Sequence, residues 1–143
     1  ELGIDRWGRG YMLANLGEVS LLRGQTEEAL VYLREALEVG ESLGEKLVIS
    51  NARTLLGRID ELEGNHRETD QHFDTAIRIL EELVMPDRLR ECHMEYADLL
   101  DKRGEIRSAS RHWKSAAKIG KFAALKQGVI QEDAVMENRS EGI

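Results

Sequence analysis

The sequence predicts an all-α fold built from three successive helical hairpins, and three observations carry that reading. A single proline occurs in 143 residues, while apolar side chains recur at three- and four-residue steps with little β-branched clustering. Glycines close three similar breaks, Arg23-Gly24-Gln25-Thr26, Glu63-Gly64-Asn65-His66 and Arg103-Gly104-Glu105-Ile106, each 40 residues from the next. A glycine just past a periodic stretch suits the left-handed residue that ends a helix. Counted in steps of 40, residue size is also preserved: Leu16, Leu56, Tyr96; Gly17, Gly57, Ala97; Ala29, Thr69, Ala109; Leu33, Phe73, Trp113; Ala36, Ala76, Ala116.

Taken in order, the periodicity predicts helices at 6–23, 27–43, 46–63, 67–84, 87–103 and 107–127. Glu27 and Glu28 favour the start of the second through the helix dipole, and Pro86 stands at or just before the first turn of the fifth, where its missing N–H is harmless. Gly17 and Gly57 fall inside helices, a position that costs about 1 kcal/mol relative to alanine, so close approach of a neighbouring helix is expected there. Leu33, Phe73 and Trp113 are the expected core knobs, and Leu16, Leu56 and Tyr96 the expected packing column. Residues 1–5 echo the end of a unit's second helix and read as the tail of a preceding repeat; units follow at 6–44, 45–85 and 86–127. Residues 128–143 form a cap and tail, with a capping helix around Glu132 to Met136. The missing initiator methionine and the echo suggest a domain cut from a longer protein.

The columns resemble the tetratricopeptide repeat pattern W-x2-L-G-x2-Y, then A-x3-F. The first unit has Leu13-x2-Leu16-Gly17-x2-Ser20 and Ala29-x3-Leu33; the second Arg53-x2-Leu56-Gly57-x2-Asp60 and Thr69-x3-Phe73; the third His93-x2-Tyr96-Ala97-x2-Leu100 and Ala109-x3-Trp113. The family's tryptophan and tyrosine columns and its closing proline are absent, and the period is longer than its usual ~34 residues, similar to the long variety of bacterial multidomain regulators. The resemblance spans about residues 5 to 127 and implies a right-handed α-solenoid whose first helices line a groove for a protein or peptide.

One stripe on those first helices is expected to face the groove: Tyr11, Ala14, Asn15 and Glu18; Asn51, Thr54, Leu55 and Arg58; Glu91, Met94, Glu95 and Asp98. With four acids against one base it suits a partner segment bearing lysine or arginine. In the family an asparagine just before the Leu-Gly pair commonly contacts peptide, and Asn15 matches it. The family's clamp for a C-terminal carboxylate is not reproduced by Arg58 and the asparagines. Trp7, exposed near the start of the first helix, would allow a homodimer through that helix.

Composition narrows the function classes. A net charge of −7 opposes direct nucleic-acid binding and adhesion to anionic membranes, and no apolar run reaches the length of a membrane span. A lone Cys92 fits a reducing compartment, with cytoplasm the expected location. His66, His72, His93, His112 and Cys92 fall into no His-x3-His, Cys-x2-Cys or HExxH spacing, and Gly8-Arg9-Gly10 lacks the strand a phosphate loop requires. No enzyme, metal or cofactor is expected. The first reading is a non-catalytic interaction module, probed by Glu91→Lys with Glu95→Lys. The alternative is a sensor or regulatory domain of a transcriptional or signalling protein that also mediates self-association.

Overall fold

The structure, a computed structural model, describes residues 8–140, excluding the side chains of 129–134 and 137–140. Trp7 and the opening residues 1–5 lie outside the described residues. Among the described residues there are six helices and no strand: α1 (Arg9–Leu22), α2 (Thr26–Leu43), α3 (Lys46–Leu62), α4 (His66–Glu82), α5 (Pro86–Lys102) and α6 (Ile106–Ser140). Pro86 is the first residue of α5, and Glu27 and Glu28 fall in the first turn of α2.

Three turns share one construction. Gly24, Gly64 and Gly104 take φ of 74°, 79° and 85°. The next residue's N–H reaches back five positions, Gln25 to Ser20 O at 2.9 Å, Asn65 to Asp60 O at 2.8 Å and Glu105 to Leu100 O at 2.9 Å. This left-handed closure satisfies carbonyls that the ending helix leaves open.

The fold divides into two compact units, one through Cys92 and one from His93, the boundary falling within α5. In the first unit α1 packs on α2, α3 on α4, α2 on α3 and α1 on α3, the stacking of a helical-hairpin solenoid. Its core follows the repeat columns. Ala29 and Leu33 meet Leu55, Leu56 and Ile59 of the following hairpin, while Leu13 and Ala14 meet Ala36 and Ala52. A Cβ on Gly17 would stand 2.6 Å from Leu33, and one on Gly57 3.1 Å from Phe73, so each glycine seats the knob of its own hairpin. Where Thr69 replaces alanine in a fully buried column, its hydroxyl donates to Gly57 O at 3.1 Å and Asn65 O at 3.2 Å, which removes the desolvation cost.

In the second unit Ala97, Leu100, Ala109 and Ala116 are buried. Trp113 departs from the expectation of a core knob: it is 38 % exposed, whereas Leu33 and Phe73 are 0 %. Leu33 is sealed by Leu55, Leu56 and Ile59 of α3. Leu16 departs likewise, being 39 % exposed while Leu56 and Tyr96 in its column are buried. The helix expected to end at 127 runs on to Ser140, so the segment assigned to a cap continues α6. Gly128 does not break it, because a lone glycine at ordinary helical φ costs only about 1 kcal/mol and terminates nothing.

Candidate interaction face and buried polar pairs

Of the predicted stripe, α1 presents Tyr11, Asn15 and Glu18 to solvent. Ala14 does not belong there: at 3 % exposure it is a core residue against Ala36 and Ala52, because α3 packs directly on α1. Leu55 is also core, packed with Leu33. On α3, Asn51, Thr54 and Arg58 are half-buried. The Thr54 hydroxyl donates to Ser50 O of its own helix at 2.9 Å, while Asn51 Oδ1 accepts from Arg88 Nη1 at 3.0 Å. Arg88, at the start of α5, was not anticipated; it stands 37 residues from Asn51 in the chain. Glu91 is exposed in the first unit, and in the second Met94 and Asp98 are exposed and Glu95 is half-buried.

A second polar feature lies between helices. Arg53 Nη2 donates to Glu41 at 3.3 Å, and Arg53 Nη1 stands 3.5 Å from His72 Nδ1, whose Nε2 is 3.4 Å from Asp60. An arginine only donates, so His72 Nδ1 is the acceptor and Nε2 carries the proton toward Asp60. Burial pushes the His72 imidazole below its ordinary value; Asp60 draws it back, Arg53 depresses it further and Glu68 raises it. In the second unit His93 Nδ1 lies 2.9 Å from His112 Nδ1, and the Tyr96 ring meets that of His112 at a tilt of 51°, with centroids 4.6 Å apart. The histidines singled out as separate residues are thus partly paired. Among the described residues no group of three or more His, Cys, Asp or Glu is arranged to hold a metal ion.

Gly10 of the Gly8-Arg9-Gly10 segment is buried inside α1. A Cβ there would meet Val48 at 2.9 Å, so it serves the contact with α3. Nearby, an Arg9–Glu35 ion pair borders a cleft of about 240 Å³ with Glu38, Val39, Ser42 and Leu43. That volume is below the roughly 300–1,000 Å³ typical of small-molecule sites. No described helix is long and apolar enough to cross a membrane.

Helix hairpins stacked in sequence-repeat register define a helical-repeat solenoid. The family model described as tetratricopeptide repeat matches residues 9–82, the four helices α1 to α4, and the chain belongs to that family. Searches of curated proteins and of solved structures returned no match. Repeats of this family generally mediate protein–protein interaction.

Proposed function

We propose that the chain is a non-catalytic docking module that takes a protein segment carrying lysine or arginine on the face of α1 and α3, as part of a larger regulatory protein of the cytoplasm. The observation that supports this most is a half-exposed aromatic, Tyr11, sharing the exposed side of α1 with Asn15 and Glu18, while Asn51 of α3 accepts from Arg88 of α5. An aromatic supplies contact area at low entropic cost, the amides offer donors and acceptors to a peptide backbone, and Glu18 attracts a cation. A labelled library of lysine- and arginine-rich peptides, read by fluorescence anisotropy, tests it. Selected peptides should lose affinity on Asn15→Ala with Glu18→Lys; binding indifferent to both substitutions ends the reading.

Self-association through α1 is a second reading with its own support. Met12, Leu16 and Val19 are 55, 39 and 45 % exposed, while Ala52, Leu56 and Ile59 in the same columns of α3 are buried under α2. Light scattering should show mass rising with concentration, abolished by Leu16→Glu with Val19→Glu; a strict monomer at high concentration rules it out.

A further inference from the structure

The outward column of the second helices is the same in every hairpin: Glu27, Val31, Arg34, Glu38 and Glu41 on α2; Arg67, Gln71, Asp74, Arg78 and Glu81 on α4; Arg107, Arg111, Lys114, Lys118 and Lys121 on α6. All fifteen are exposed. Formal charge along the column runs from −2 through 0 to +5. The excess is local, because residues 106–131 contain no Asp or Glu, while residues 1–92 carry 19 acids against 11 bases. The four-three spacing sets the five cations in a single ridge roughly 21 Å long at about 1.5 Å per residue. None of the five forms an ion pair among the described residues; Arg111 Nη2 only donates to Ser108 Oγ at 3.0 Å.

Folding does not ask for this ridge. Like charges three and four residues apart disfavour a helix, and cations in its first turns oppose the dipole. Packing does not need them either, since among the described residues those of α6 that are buried are Ala109 and Ala116. Further along the helix, Phe122, Leu125 and Met136 are exposed apolar residues, at 71 %, 70 % and 73 %. An anionic bilayer wants apolar and basic residues on different sectors of a helix lying flat, and nucleic acid has little use for Leu125 or Met136. A protein segment with carboxylates at one end and apolar residues at the other complements both halves.

We infer that the outer face of α6 is a second docking surface, whose partner is an acidic protein helix with carboxylates opposite Arg107 to Lys121 and apolar residues opposite Phe122 and Leu125. It does not rest on the α1/α3 reading. The probe is a labelled synthetic helical peptide with glutamates at four-three spacing followed by leucines, titrated into the full chain. Expected is saturable binding that weakens with salt, falls by roughly tenfold or more on Arg111→Glu, Lys114→Glu and Lys118→Glu, and falls again on Phe122→Ser with Leu125→Ser. A lysine version of the peptide should bind only the charge-reversed chain. If charge reversal disturbs the circular dichroism, Lys114→Gln with Lys118→Gln gives the same comparison at smaller charge change. The proposal is overturned if the acidic peptide does not bind. It is equally overturned if a DNA duplex or phosphatidylserine vesicles bind at least as tightly with no response to the Phe122 and Leu125 changes.

Discussion

His93 meets His112 at 2.9 Å between the same two repeat columns that place Arg53 beside His72 one hairpin earlier, and that hold Leu13 and Tyr32 in the first. One interhelical position is therefore filled by an apolar pair, an arginine–histidine pair and a histidine pair in turn. The backbone accepts all three, so side-chain complementarity decides what each hairpin tolerates.

That equivalence makes a swap testable. Replacing His93→Leu alone removes the bond that His112 makes to it in a buried setting and should cost about 1–3 kcal/mol in urea unfolding. His93→Leu combined with His112→Tyr rebuilds the first hairpin's pair and should recover most of that loss. A double variant no more stable than the single one would show that the columns are not interchangeable.

Stability should depend on pH through His72. Its folded value is depressed below the ordinary 6.5, chiefly by burial, so the unfolded chain binds the proton first as pH falls. The neutral imidazole's contribution is fully present above pH 6.5 and is lost as pH falls through the lower folded value. Protonation also places a hydrogen on Nδ1, against the Arg53 guanidinium. The stability difference between pH 7.5 and pH 5, set as about one unit or more on either side of the ordinary imidazole value, should be smaller in His72→Gln than in the parent chain. An equal difference would remove His72 as the source.

Val84 takes φ of 52° at the end of α4, where Gly44 takes 68° at the end of α2. A β-branched residue in that left-handed region costs roughly 1–2 kcal/mol, partly offset by its lower chain entropy when unfolded. Val84 is 81 % exposed, so no packing is lost on its removal. Val84→Gly should raise stability by about 1 kcal/mol and Tm by several degrees; an unchanged or lower Tm would count against strain at this turn.

The two helical glycines should respond differently to alanine. At Gly17 the new Cβ lies 2.6 Å from fully buried Leu33, whereas at Gly57 it lies 3.1 Å from the Phe73 ring. Overpacking of about 1–3 kcal/mol should outweigh the ~1 kcal/mol helix gain at Gly17 and roughly cancel it at Gly57. The order of the two denaturation midpoints is the check.

Much of the fold was legible in the sequence. Helix bounds from periodicity and turn glycines agree with the structure within about two residues at most described ends, because caps and apolar spacing are local properties. The far end of α6 was missed, since Gly128 resembles a stop but keeps a helical backbone. In the predicted stripe, Tyr11, Asn15 and Glu18 could be read from spacing as solvent-facing, while Ala14 and Leu55 could not be told from groove residues until α3 packed on α1 and α2. The Asn51–Arg88 pair had no sequence signal, as 37 residues separate its members. The histidine pair did have one: two columns 19 residues apart, polar in both later hairpins.

By itself the sequence determined that this chain is helical, where its turns fall and that its hairpins repeat every 40 residues, since each follows from chemistry within a few turns of one helix or from comparing equivalent positions. Tertiary structure alone decided which side chains of a repeated column are covered. Leu33 and Trp113 share a register, yet one is sealed by the next hairpin and the other stands half in water, because burial depends on what packs across from a residue and not on its own helix.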